Sequence, residues 1–207
     1  STHLGYTTTV LSQRLDQAVI ALVLSAQDLG LYLVALAAGG VAALVGGTME
    51  LVAFPKFAAA PDAVARAAVV GRYVRATVAL SALTAMVLVP LLPWLIEMLF
   101  GPAFAAAAGP ARIFALAAAP IGAKVILCAG LRGAGRPLEA ARVEVGVLMA
   151  LAAALAALLP VLGIAGAAWA ILFAQAIGAG IAASRARHGL GLAWSDVLTP
   201  FAEDRRR

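Results

Sequence analysis

Long apolar stretches alternate with short polar connections along the chain. Six of these stretches are long enough, at roughly 20 residues each, to cross a bilayer as helices. They cover approximately residues 4–26, 29–54, 74–100, 110–131, 139–159 and 164–184. The pattern predicts an all-α fold, a polytopic membrane bundle of six transmembrane helices within residues 1–187, followed by a short cytoplasmic tail over residues 188–207.

Prolines and glycines suggest where these helices begin, end or bend. Pro55 is expected to stop the second helix and Pro160 the fifth, because proline cannot donate a helical hydrogen bond. Pro110 suits the first turn of the fourth helix. Pro90 and Pro93 fall inside the third helix, so we expect its distal part to be kinked.

Basic residues in the connections occur in every second one. Three connections are basic and contain Lys56, Arg66, Arg72 and Arg75, then Arg132, Arg136 and Arg142, then Arg185, Arg187 and Arg205 to Arg207. The intervening connections, near residues 27–28, 100–102 and 160–163, contain no Lys or Arg. Cytoplasmic loops of membrane proteins retain these residues. The pattern therefore predicts a multi-pass membrane protein with both ends of this chain in the cytoplasm.

The composition agrees with a membrane protein. Hydrophobic residues make up 64% of the 207 residues and charged residues 12%, against about 25% charged in an ordinary globular domain. The net charge of +5 would suggest nucleic acid in a soluble protein, but beside membrane spans it indicates attraction to anionic lipid headgroups. Cys128 is the single cysteine, so neither a disulfide framework nor a metal site is expected.

A few charged residues fall inside the predicted helices. Arg14 and Asp16 lie well within the first helix, and Lys124 lies deep in the fourth, beyond easy reach of water. Arg112 is in the first turn of the fourth helix, near the far interface. Charges at such depth are costly and normally face a bundle interior or a watery cavity. These four residues are the candidate substrate-binding residues. The alternative for Arg14 and Asp16 is a structural tether to a neighbouring helix, and the alternative for Arg112 is a position at the far interface.

Other ionisable residues have simpler interpretations. Glu50 and Glu144 lie near cytoplasmic helix ends and are expected to pair with loop arginines. No paired carboxylates, His/Cys cluster, P-loop or dinucleotide loop is present. The sequence therefore favours a protein that is not an enzyme and uses no cofactor or metal.

Several short blocks, in order along the chain, resemble the carboxy-terminal half of polysaccharide (O-antigen type) flippases of the multidrug/oligosaccharidyl-lipid/polysaccharide exporter superfamily. The resemblance covers residues 11–187. The blocks are Arg14-Leu15-Asp16-Gln17, Leu29-Gly30-Leu31-Tyr32, Phe54-Pro55, Leu99-Phe100-Gly101-Pro102-Ala103-Phe104, Leu131-Arg132-Gly133-Ala134-Gly135-Arg136-Pro137 and Gly163-Ile164-Ala165-Gly166-Ala167-Ala168. Each block alone is weak, and their common order carries the resemblance.

The resemblance implies one lobe of a two-lobed transporter that moves undecaprenyl-diphosphate-linked oligosaccharide across the inner membrane by alternating access. It implies a cation-lined path in which Arg14, Arg112 and Lys124 meet the diphosphate, while Asp16 balances charge or couples an ion. The expected partners are the lipid-linked oligosaccharide, membrane lipids and an amino-terminal lobe that this chain lacks, with a second copy of the chain as the alternative.

Other functions remain open at this point. A drug or cation antiporter of the same superfamily would share the helices but favour acidic cavity residues, whereas the deep charges here lean basic. A peptidoglycan-precursor flippase is poorly separated by this half-sequence. A non-transporting membrane scaffold needs no cavity at all. The sugar unit and the coupling ion are not indicated by the sequence.

Overall fold

The computed structural model describes residues 25–190 together with Ile20, Leu22 and Val23. Within that part of the chain the regular structure is entirely helical. We label five α-helices in chain order: α1 (Ala26–Gly40), α2 (Leu44–Ala58), α3 (Ala63–Phe100), α4 (Ala108–Gly133) and α5 (Pro137–Leu190). The all-α fold class is thus confirmed for the described residues.

Helices α1 and α2 form one long run that is joined by a 3-10 turn at Val41–Ala43. Ser25 caps the start of α1, because its hydroxyl accepts a hydrogen bond from the Asp28 amide at 3.1 Å. The run was expected to end at residue 54, before Pro55, and this was wrong. Proline removes one hydrogen bond, the one that its own amide would donate. The Pro55 carbonyl still accepts from the Ala59 amide at 3.0 Å, and α2 continues to Ala58.

Helix α3 is far longer than the span of residues 74–100 that the apolar pattern predicts. It starts at Ala63, where Asp62 caps the chain by accepting from the Ala65 amide at 2.7 Å. Its 38 residues extend for about 57 Å, while the hydrocarbon core is about 30 Å thick. The apolar count identified only the apolar part of the helix, and the helix itself begins eleven residues earlier.

Helix α4 is the central helix of the bundle. A 3-10 helix, Pro102–Ala107, precedes it, and its bounds extend two residues beyond each end of the predicted span 110–131. Helix α4 contacts α1, α2, α3 and α5. In its most apolar 18-residue stretch 61% of the residues are buried, compared with 22% in the corresponding stretch of α3. Small side chains dominate this helix, which lets neighbouring helices approach closely.

Helix α5 consists of two antiparallel arms that fold back on each other at Gly163. This glycine has φ 56° and ψ −135°, a backbone conformation that side chains with a Cβ disfavour. The two arms contain the predicted helices at 139–159 and 164–184, and both arms extend beyond these bounds. The expectation that Pro160 ends the fifth helix was wrong, because Pro160 lies inside the first arm and the chain reverses only at Gly163.

The outer surface of the described bundle is apolar. Large exposed side chains include Leu22, Leu51, Val64 and Val161, each more than three-quarters exposed, which is the arrangement that lipid-facing helices require. Four helical segments are long and apolar enough to cross a membrane: Ala26–Ala58, Ala63–Phe100, Pro102–Gly133 and Pro137–Leu190. The predicted first helix, residues 4–26, lies almost entirely outside the described residues, so the number of six helices stays a prediction. The same holds for the division into a lobe and a tail.

Candidate functional site

A buried lysine joins the central helix to α5. Lys124 on α4 is only 7% exposed, and its ammonium donates a hydrogen bond to the Glu144 carboxylate at 2.9 Å. Lys124 lies nine residues before the end of α4, or about 14 Å along the helix axis. The sequence prediction that Lys124 sits inside the bundle is therefore matched by its burial, and its partner is a carboxylate on the first arm of α5.

The pair is asymmetric in its exposure. The Lys124 side chain is 9% exposed, and the Glu144 side chain 43%. The ammonium is thus held inside the protein while the carboxylate lies at the edge of the bundle. A buried charge without a partner is strongly unfavourable, so the Glu144 carboxylate offsets part of the cost of burying the Lys124 side chain.

Gly178, on the second arm of α5, makes room for this lysine. A Cβ at Gly178 would lie 3.2 Å from Lys124 Cδ and 2.3 Å from Val147 Cγ2. The aliphatic part of the lysine therefore packs at a close approach of the two arms of α5. Lys124 therefore contacts both arms: it pairs with the Glu144 carboxylate on the first arm and packs against Gly178 on the second.

The same prediction was confirmed for Glu50 and was wrong for Glu144. Both were expected to pair with loop arginines. Glu50 does so, since it forms an ion pair with Arg132 at the end of α4. The expectation was wrong for Glu144, which pairs with Lys124 instead. Charged residues of α4 thus bind this helix to α5 through one pair and to α2 through the other.

Arg112 has a structural role in helix α3 that the sequence reading did not identify. Its Nε donates to the Val89 carbonyl at 3.3 Å. In a regular helix this carbonyl would accept from the amide four residues later, but that residue is Pro93, which has no N–H. Arg112 therefore satisfies an acceptor that a proline has freed.

Of the four candidate residues, the structure describes Arg112 and Lys124, and it does not bring these two together. Arg112 and Lys124 are both on α4 but are separated by twelve positions, or about 18 Å along the axis. Arg14 and Asp16 lie outside the described residues, so their arrangement stays a prediction. Lys124 with Glu144 is the part of the candidate site that the structure defines.

A buried polar layer lies where α2, α3 and α4 cross. Thr77 and Ser81 on α3 are fully buried, and neither hydroxyl has a hydrogen-bond partner in the described part of the chain. A Cβ at Gly122 would lie 2.7 Å from Thr77 Cγ2 and 3.3 Å from Ser81 Oγ, while one at Gly46 would lie 3.0 Å from Gly122 Cα. The sequence analysis missed this layer, although Thr77 and Ser81 are four residues apart and so share one helix face.

These features define a class of protein: a polytopic membrane helix bundle in which a buried lysine pairs with a carboxylate at the edge of the bundle. Among the residues that the structure describes, no group of His, Cys, Asp and Glu could hold a metal ion.

The chain belongs to the polysaccharide biosynthesis protein family, whose sequence model matches residues 2–109. This match confirms the resemblance to a polysaccharide flippase-type protein, and it covers four of the six sequence blocks on which that resemblance depends. No curated protein and no solved structure matches the chain.

Proposed function

We propose that this chain is part of a flippase that moves undecaprenyl-diphosphate-linked oligosaccharide across the bacterial inner membrane for polysaccharide biosynthesis. One observation carries the proposal: a lysine ammonium is buried inside the bundle of a protein from a polysaccharide biosynthesis family. Intramembrane ionisable residues are rare and mark substrate pathways more often than other positions do. Membership of the family points to a saccharide as the cargo, and the buried ammonium is a group that can bind the diphosphate of an anionic lipid carrier.

The chemistry of the substrate sets what the protein must provide. A diphosphate-sugar headgroup cannot cross hydrocarbon unaided, because removing its charges from water is prohibitive. It requires a hydrated path with cations along it, while the lipid tail stays in the bilayer. Lys124 provides such a cation at depth, and Arg14 and Arg112 are the further candidates along the path.

The asymmetry of the Lys124–Glu144 pair suggests how the cation becomes available. Glu144, with a side chain 43% exposed, can leave the pair at lower cost than the buried lysine can. A diphosphate that enters beside α4 would then replace the carboxylate as the partner of Lys124. Alternating access follows if the exchange of partners favours one orientation of the α5 arms, since a ligand shifts a conformational equilibrium only through differential affinity.

A cation or drug antiporter is less well supported by the same pair. Such a protein would need a carboxylate that is free to bind a cation, whereas Glu144 is already neutralised by Lys124 at 2.9 Å. The assembly we propose has a second lobe or a second copy of the chain facing this one, with both ends of the chain in the cytoplasm. Asp16 would balance charge or couple an ion in that assembly.

The proposal is tested by depleting the protein from the cells that make it. We expect surface polysaccharide to be lost while the lipid-linked oligosaccharide accumulates in the cytoplasmic leaflet. Sensitivity to cationic drugs should not change. Normal surface polysaccharide together with increased drug sensitivity would instead indicate an exporter of cations.

A further inference from the structure

A cavity of about 440 Å³ opens between α2 and α3, on helices other than those of the Lys124–Glu144 pair. It is lined by Met49, Val52, Lys56, Val69, Arg72, Tyr73 and Ala76. Four of these seven side chains are apolar, two are cationic and one is a phenol. The cavity therefore combines a hydrocarbon-like wall with a positively charged end.

The polar end of the cavity is organised around Tyr73. Lys56 Nζ donates to the Tyr73 hydroxyl at 2.5 Å and lies 5.2 Å from the centre of the same ring, an arrangement that also provides a cation–π attraction. Because the tyrosine oxygen accepts from the lysine, its own proton remains available for another acceptor. Lys56, Arg72 and Tyr73 can thus all donate to one anion.

The positive charge of the cavity is not compensated within the described part of the chain. Neither Lys56 nor Arg72 has a carboxylate within ion-pair distance among the described residues. Other cations of the bundle do have such a partner, namely Lys124, Arg132, Arg142 and Arg185. Nearby Arg66 is used differently, because it donates to the Phe57 carbonyl at 2.9 Å and so closes the end of α2.

The cavity lies at the boundary between hydrocarbon and water. Residues 76–96 of α3 contain no charged side chain, and at about 1.5 Å per residue they match the thickness of the hydrocarbon core. Arg72 precedes this stretch by one turn. In the antiparallel arrangement of α2 and α3, Met49 and Val52 lie on the hydrocarbon side of the contact between Lys56 and Tyr73.

We propose that this cavity binds an anionic phospholipid. Lys56, Arg72 and Tyr73 hold the headgroup phosphate, since charge-assisted hydrogen bonds to phosphate are the strongest that these groups form. One acyl chain lies against Met49 and Val52. The apolar wall favours a lipid over a free phosphate ion, which would leave that wall exposed. The site is independent of the proposed transport of lipid-linked oligosaccharide.

The binding is measured by native mass spectrometry of the purified protein in detergent. The protein is titrated with phosphatidylglycerol and, separately, with phosphatidylcholine that has the same acyl chains. We expect tighter retention of phosphatidylglycerol. The double variant Lys56→Gln/Arg72→Gln should bind it about thirty-fold more weakly, which corresponds to the attraction of two basic residues at an anionic surface, with phosphatidylcholine unaffected.

Two further variants separate the site from general charge and from misfolding. Arg136→Gln/Arg142→Gln changes the net charge equally but lies outside the cavity, so it should retain the wild-type affinity. Lys56→Arg/Arg72→Lys keeps both charges and should also retain binding. Equal retention of both lipids by the wild-type protein would overturn the proposal, as would equal losses in the cavity and control variants. Displacement of the lipid by millimolar pyrophosphate would show that the site takes free phosphates instead.

Discussion

Lys124 on the central helix donates to Glu144 on the first arm of α5 at 2.9 Å, with the ammonium buried and the carboxylate at the edge of the bundle. Ion pairs of this kind hold a charge where it would otherwise be excluded, and they contribute little net stability. A bundle that needed only stability could place apolar side chains at both positions. The presence of an ion pair at these positions therefore favours a role for the Lys124 charge beyond packing.

The first prediction concerns the cost of breaking this pair. Glu144→Gln leaves the Lys124 ammonium without its carboxylate and should lower the free energy of unfolding by about 1–3 kcal/mol, less than for a fully buried pair because Glu144 is partly exposed. Lys124→Met/Glu144→Leu should be close to the wild type in stability. Thermal unfolding in detergent measures both. Equal losses in the single and double variants would show that packing, and not charge, is at stake.

The second prediction concerns the room that Gly178 provides for Lys124. Gly178→Ala places a methyl group 2.3 Å from Val147 Cγ2 and 3.2 Å from Lys124 Cδ, and we expect a loss of about 1–3 kcal/mol from overpacking. Gly180→Ala is the matched control, because nothing lies within 4 Å of its added methyl. The control should be neutral or slightly stabilising, and unfolding midpoints of the two variants give the comparison.

A third prediction links Arg112 to Pro93 through the Val89 carbonyl. Arg112→Gln should cost about 1 kcal/mol in the wild-type background, the contribution of one hydrogen bond. Pro93→Ala restores an N–H that can reach the same carbonyl, so Arg112→Gln should cost much less in that background. A double-mutant cycle measures the coupling between the two sites. A coupling energy of zero would show that Arg112 does not compensate for the hydrogen bond that Pro93 removes.

The fourth prediction concerns the turn of α5. Gly163→Ala forces a residue with a Cβ to adopt φ 56°, and it should destabilise the protein by about 1–2 kcal/mol. Gly40→Ala is the control, since its methyl would meet nothing within 4 Å in an ordinary helical conformation. Pro160→Ala should be tolerated, because Pro160 lies within the first arm and the reversal does not depend on it. The midpoints of unfolding in increasing denaturant concentration rank the three variants.

The apolar pattern predicted the helical class and most helix positions. It could do so because a lipid-exposed helix must be apolar across the whole thickness of the hydrocarbon core. It could not predict how far α3 continues, since Arg66 and Arg72 mark the end of the hydrocarbon and not of the helix. It also placed two helix ends at Pro55 and Pro160, where the observed helices run on. A missing N–H removes one bond, and neighbouring bonds are enough to carry the helix past it.

The sequence could predict that Lys124 lies inside the bundle, but it could not predict which residue pairs with it. The depth of Lys124 was evident from the uncharged residues around it, while its partner depends on the angle between α4 and α5. Glu144 lies seven residues into α5, close enough to the loop that an arginine partner was the simpler expectation. Only the packing of the two α5 arms around Lys124 decides the pairing.

The central claim is that a cation at position 124 serves transport, and exchanging the two charges tests it most directly. Lys124→Glu/Glu144→Lys keeps an ion pair between α4 and α5, so we expect the protein to fold and accumulate at the wild-type level. Surface polysaccharide should nevertheless be lost, with lipid-linked oligosaccharide accumulating in the cytoplasmic leaflet, while Lys124→Arg should retain transport. Full transport by the exchanged variant would contradict the account and leave the pair as a structural tether between two helices.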